Sequence, residues 1–170
     1  MLTSNQKGAI AEAAIALEAV RHGVNVLRPV VEGGRYDLVF EIGRRFLRVQ
    51  CKWAVRRGDV VEVRTGTSRR GPDGFFRTTY RPDEIDLVAA YCDALGRCYY
   101  LPISMTVGRS IFYLRVAPSR NNQRIGINWA VDYELGAIAQ LGERAAGSRK
   151  VVGSSPTSST PMPLYGAAFS

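Results

Sequence analysis

Alternation of apolar and polar residues is cleanest between residues 36 and 53. There two runs, Tyr36 to Ile42 and Arg45 to Trp53, are joined by Gly43-Arg44. A two-residue loop opening on glycine suits a type II′ hairpin turn. The register it sets puts residue 42 opposite 45 and residue 40 opposite 47. Asp37 then faces Gln50, with Lys52 on the diagonal. One face collects Leu38, Phe40, Ile42, Leu47, Val49, Cys51 and Trp53 and is the core face. The other carries Asp37, Glu41, Arg48, Gln50 and Lys52. A carboxylate, an amide and an ammonium therefore meet across strands, with facing Cβ atoms roughly 5 Å apart.

The flanking pattern supplies further elements. Gln6 to His22 predicts an amphipathic helix with an apolar stripe of Ile10, Ala13, Ala14, Leu17 and Val20, capped by Ser4 or Asn5 and ended by Gly23. Glu12 lies beside that stripe, flanked by alanines too small to screen it. A third strand is expected over 59–64, followed by a loop from Arg64 to Arg81. A helical turn near Glu84 leads into a buried strand ending at Tyr91, a turn over 93–96, and strands over 98–103 and 111–116. Together they predict a helix packed on a mixed sheet. From Gly136 the composition shifts. A short helix over 136–144 is expected to give way to a Gly-, Ser-, Thr-, Ala- and Pro-rich tail that is disordered. The chain thus divides into a domain over 1–135 and a tail over 136–170.

The cluster on the polar face has a chemistry. Magnesium takes hard oxygen ligands, typically one or two carboxylates plus waters and phosphate oxygens. Asp37 supplies a carboxylate and Gln50 an amide oxygen. Lys52 can stabilise charge developing on a phosphate or ease deprotonation of an attacking water, as metal-assisted phosphodiester cleavage requires. The plainer alternative is an exposed hairpin whose charges merely pair across strands.

Other chemistries lack their parts. His22 is the one histidine and stands at the end of the first helix, which excludes His-based zinc sites, Ser/His triads and Cys/His dyads. Cys51, Cys92 and Cys98 are too few and too irregular for a zinc site or a disulfide framework, and read as buried free thiols of a cytosolic protein. No run of residues reaches membrane-spanning length, and no targeting signal is visible, so a soluble, cytoplasmic protein is expected.

Charge agrees with a polyanionic partner. The 170 residues hold 23 Lys and Arg against 15 Asp and Glu, a net charge of +8. Arg64, Arg69, Arg70, Arg77 and Arg81 crowd the segment after the third strand, interleaved with Phe75, Phe76 and Tyr80. Arginines and hydroxyls there suit phosphate contacts. Arg44, Arg45, Arg56, Arg57 and Arg120, with Asn121, Asn122 and Gln123, are weaker candidates for a second patch.

Taken in order, Gly8-Ala9-Ile10-Ala11-Glu12, Gly33-Gly34-Arg35-Tyr36-Asp37 and Gln50-Cys51-Lys52 resemble the PD-(D/E)xK nuclease superfamily. More narrowly the pattern is similar to the branch of group I intron-associated homing endonucleases, and it extends through Pro82 to Tyr91, Tyr99 to Ile103, Asn121 to Gln123 and Asn128 to Ala130. The resemblance implies an α/β fold with a restriction-endonuclease-like core, a mixed central sheet flanked by helices and the site at one edge. It implies Glu12, Asp37 and Gln50 at a Mg2+ site, Lys52 as the catalytic lysine, and double-stranded DNA as substrate. Tyr36 stands where the family name has proline. Gln50 stands where it has Asp or Glu, which removes one negative charge and leaves a catalytically inactive DNA-binding module as the alternative. Cutting both strands needs two active sites, so a homo-oligomer is expected. The words Gly-Ala-Ile-Ala-Gln-Leu-Gly-Glu-Arg and Val-Val-Gly-Ser-Ser-Pro in the tail resemble translated D- and T-arms of a bacterial tRNA gene, as though the frame ran on into one.

Overall fold

Gly43 turns the central hairpin at φ +62°, the left-handed backbone that either primed turn requires and that glycine adopts without strain. The computed structural model describes residues 1–31, 33–71, 74–118 and 125–134, with the backbone alone at 68–71 and 75–77. The expected segments 119–124 and 135–170, Arg120 to Gln123 and the tail among them, lie outside the described residues.

The hairpin strands are β2 (Leu38–Ile42) and β3 (Arg45–Arg57). Their register is the expected one, with Ile42 opposite Arg45, Phe40 opposite Leu47 and Leu38 opposite Val49. A short strand not foreseen, β1 (Asn25–Leu27), pairs with the outer edge of β2. On the other side β3 pairs in parallel with β7 (Leu87–Cys92), and β7 pairs antiparallel with β8 (Arg97–Pro102). The end of β3 pairs with β4 (Val60–Arg64), which pairs with β9 (Ile111–Arg115). The seven strands form one mixed sheet.

Segment 66–79, expected as a loop, is instead a two-stranded hairpin of β5 (Gly66–Gly71) and β6 (Gly74–Thr79). Its Gly, Arg, Ser and Thr, with Phe75 and Phe76 adjacent to each other, carry no alternation to betray a strand, and backbone pairing defines it. A Cβ at Gly66 would lie 2.9 Å from the Thr78 carbonyl oxygen, so the two legs approach closely only because that position is glycine.

Both faces of the sheet are covered. Strand β7 reads Leu-Val-Ala-Ala-Tyr-Cys, the near-continuous apolar run of a strand buried on both sides. Leu87 and Ala89 join Leu38, Phe40, Val49, Cys51 and Tyr100 under helix α1 (Ser4–Arg21). Val88 and Ala90 face the other way, into a cluster with Val61, Val63, Tyr80, Tyr99, Leu101, Phe112 and Leu114. The expected core face of the hairpin is therefore correct, while the helical stripe is not. Residues Ala11, Ile15 and Ala19 are buried; Leu17 and Val20 are 52% and 58% exposed. Small side chains let α1 press close to a sheet whose bulk comes from Phe40 and Tyr100. The N-cap is Thr3, in a capping box with Gln6, rather than Ser4 or Asn5.

Candidate active site

Pairing of β2 with β3 ends at Val49, and pairing of β4 with β3 begins at Val55. Across the interval Gln50 to Ala54 the strand is laddered only to β7, and here the polar cluster forms. It lies on an interior strand of the sheet rather than at one edge. Asp37, just before β2, takes over where the ladder stops. Its backbone N–H donates to the Val49 carbonyl at 2.9 Å, and its carboxylate Oδ2 accepts from the Cys51 N–H at 2.7 Å. The Gln50 Nε2 donates to the same oxygen. Asp37, Gln50 and Lys52 thus occupy one face, as strand alternation requires.

Electrostatics mark the cluster as costly to build. Gln50 is a buried polar residue, 8% exposed. Burial pushes the Asp37 carboxyl above its ordinary value, against the Cys51 N–H, Lys52, Gln50 and Arg28, all of which favour its charged form. Burial likewise pushes the Lys52 ammonium below its ordinary value, with Asp37 opposing. Two ionisable groups driven in opposite directions by desolvation at a cleft are a pattern of functional sites. Lys52 is also held from outside the hairpin: its Nζ donates to the Tyr80 hydroxyl at 2.8 Å.

Glu12 reaches this region from α1. Its carboxylate pairs with Arg28 at 3.3 Å, and the Arg28 charge also acts on Asp37. Arg28 follows β1, the strand sequence reading did not foresee, and so had no signal of its own. Cys51 is buried, its thiol pushed up by desolvation and by the carboxylates of Asp37 and Glu12. It is inert packing, as are Cys92 and Cys98, which are buried and free.

A cleft of about 510 Å³ opens beside Lys52, lined by Arg64, Thr67, Thr78, Thr79 and Ser110 among others. Trp53 and Ile111 share its walls with these hydroxyls and the guanidinium, and Thr67 and Thr78 hydroxyls bond across the hairpin at 2.9 Å. Arg64 is exposed at the end of β4. Arg81 is exposed too, but Asp83 grips it with two hydrogen bonds, 3.0 and 2.5 Å, which leaves less of its charge for a phosphate. The backbone of Arg69, Arg70 and Arg77 belongs to the β5–β6 hairpin, and their side chains lie outside the described residues. Of the weaker candidates, Arg57 pairs with Glu62 at 2.9 Å and Arg56 bonds the Gly58 carbonyl. Among the described residues no three His, Cys, Asp or Glu side chains converge as a metal cluster. No described helix is long and apolar enough to cross a membrane.

Residues 2–136 match the family model described as PD-(D/E)XK endonuclease. No curated protein matches the chain. Among solved structures, that of a bacterial homing endonuclease, I-Ssp6803I, superposes with a TM-score of 0.68 at 23% identity, covering 86% of this chain and 100% of the other. At that identity the likeness establishes a shared fold.

Proposed function

The chain belongs to the PD-(D/E)XK endonuclease family, and from that premise we propose that it is a magnesium-dependent endonuclease of double-stranded DNA in which Asp37, Gln50 and Glu12 hold the metal and Lys52 serves the phosphate. Membership implies hydrolysis of phosphodiester bonds, and nucleases of this family typically use a divalent metal. The observation that carries the assignment of roles is the convergence of Asp37, Gln50 and Lys52 where β3 has left β2 and is paired only with β7.

The donor chemistry fits magnesium. Carboxylate and amide oxygens are hard ligands, and the set leaves room for the waters and phosphate oxygens this ion keeps. The buried Asp37 carboxylate, already raised by desolvation, gains from a cation beside it. Gln50 presents nitrogen to Asp37 in this structure; a half-turn of its terminal amide presents oxygen instead. When bound, magnesium supplies positive charge at the phosphate and lowers the cost of deprotonating water. The chain's own residues do the rest. Lys52 offers an ammonium to the developing charge. Arg64 and the cleft beside it, with the hydroxyls of Thr67, Thr78, Thr79 and Ser110, seat the neighbouring backbone, with Arg69, Arg70 and Arg77 on the hairpin extending the contact and Arg81, shared with Asp83, beyond it.

The fold shared with a bacterial homing endonuclease supports a homing role, with the gene carried in a group I intron; a coding frame outside any intron would remove that part. The rival reading, a DNA-binding module without activity, is favoured by the neutrality of Gln50 and by its amide nitrogen facing Asp37. Incubating supercoiled plasmid with the protein, with and without magnesium, separates the two. Magnesium-dependent nicking or linearisation that Lys52→Ala abolishes is the expected result. Retained gel-shift binding with no cleavage on plasmids carrying the intron-flanking sequence would favour the binding module.

A further inference from the structure

We propose that Tyr80 is the positioning residue of Lys52, tying the ammonium to the base of the β5–β6 hairpin. The inference rests on the nuclease reading for its functional consequence, though not for its geometry. A lysine ends in a compact charge on a flexible four-carbon stem with three donors, so a role at a phosphate requires something to aim it. The Asp37 carboxylate acts on Lys52 through its charge, while its Oδ2 is engaged by Cys51 and Gln50. A carboxylate would cancel the charge it aimed. The Tyr80 hydroxyl accepts from Nζ at 2.8 Å while remaining neutral, so the ammonium keeps its charge for the substrate.

The contact is a hydrogen bond rather than a cation over a ring face. Nζ lies 2.8 Å from the hydroxyl oxygen and 5.0 Å from the ring centroid, so it approaches from the hydroxyl end. The ring itself is fixed: Tyr80 is 3% exposed in the cluster with Val61, Val63 and Ile85. Its backbone directly follows β6, whose last residue, Thr79, pairs with Gly66 at the start of β5. The opposite leg is anchored as firmly. Buried Thr65 donates its N–H to the Ser110 carbonyl at 3.0 Å and its hydroxyl to the Arg109 carbonyl at 2.5 Å. The element proposed to grip DNA and the residue proposed to act on it are therefore joined through one phenol.

The chain has three lysines, Lys7, Lys52 and Lys150, so nitrogen-15 lysine labelling of the full-length protein gives an uncrowded ammonium spectrum, assigned with Lys52→Arg. In cold, mildly acidic buffer the Lys52 ammonium should give a distinct, slowly exchanging signal. Tyr80→Phe keeps the packed ring and removes the acceptor. It should collapse that signal toward an ammonium free in water and slow single-turnover plasmid cleavage about tenfold, the worth of one lost hydrogen bond to a charged group. DNA affinity by gel shift should stay within about twofold, because seating on the hairpin is untouched. A Lys52 signal unchanged by Tyr80→Phe, or cleavage at the wild-type rate, overturns the proposal. If Tyr80→Phe does not fold, the wild-type spectrum decides: a Lys52 signal already averaged as in free solution overturns it, and a distinct one supports it. Wild-type protein that binds DNA but never cuts defeats the nuclease reading instead, and the spectrum still reports whether Tyr80 holds Lys52.

Discussion

Gln50 is neutral at a position where a carboxylate would bind a dication better, and its amide nitrogen instead donates to Asp37. Gln50→Glu would set a second carboxylate beside that of Asp37, just before β2. Without metal one of them must take up a proton, because like charges at such separations raise each other's pKa. With magnesium both ionise and bind. The expected outcome is a magnesium concentration for half-maximal cleavage lowered about tenfold, a small part of the raw Coulomb gain because desolvating a second carboxylate consumes most of it. Magnesium titration of plasmid cleavage, paired with calorimetric binding, checks this; an unchanged requirement would mean that residue 50 does not touch the metal. Gln50, Asp37 and Lys52 were legible from sequence because strand alternation alone puts them on one face. Tyr80 and Arg28 were not. Tyr80 meets Lys52, and Arg28 meets Glu12, through tertiary packing, and no local periodicity records that.

The parallel strand β7 is pinned to β3 by Arg48 and Asp86. The Arg48 guanidinium donates to both Asp86 carboxylate oxygens, at 2.9 and 3.0 Å, and its backbone N–H adds a third bond at 2.8 Å. It also reaches the carbonyls of Pro82 and Asp83, so it fixes the turn leading into β7. Burial raises the Asp86 carboxyl, but the side-chain and backbone bonds from Arg48 outweigh it, and the group lies below its ordinary value. A carboxylate depressed in the folded state stabilises fully above its unfolded pKa and loses that contribution as pH falls through the folded one. Asp86→Asn should therefore lower unfolding free energy by about 1–2 kcal/mol at neutral pH, discounted for a pair one-third exposed. The deficit should begin to shrink as pH falls below the ordinary aspartate value of 3.8 and vanish only below the depressed folded one, in urea melts of mutant and wild type. A deficit equal at neutral and acid pH would assign the loss to packing. Sequence reading placed β2, β3, β7, β8 and β9 because alternation or an apolar run marks each. It rotated α1 because Leu17 and Val20 outrank alanine in hydrophobicity, whereas close helix-to-sheet contact selects Ala11 and Ala19.

A net charge of +8 attracts DNA wherever it meets it, so binding alone says little about how a duplex is cut. The described residues of one chain hold a single Asp37, Gln50 and Lys52 constellation, and a single constellation cuts a single strand. Two chains brought together on one duplex would cut both strands in one encounter; a lone chain would nick, release and return. We therefore expect a homo-oligomer, and its signature is kinetic. Supercoiled plasmid carrying one target should pass directly to linear product, little nicked circle should accumulate, and the rate should rise more steeply than linearly with protein concentration in the dilute range. Raising salt should slow cleavage by weakening DNA binding, with the logarithm of affinity falling linearly against that of salt. Salt alone should not shift the ratio of nicked to linear product if the chains associate before they meet DNA. A ratio that moves toward nicked circle as salt rises, with light scattering showing single chains in solution, would mean instead that two chains assemble only on the duplex.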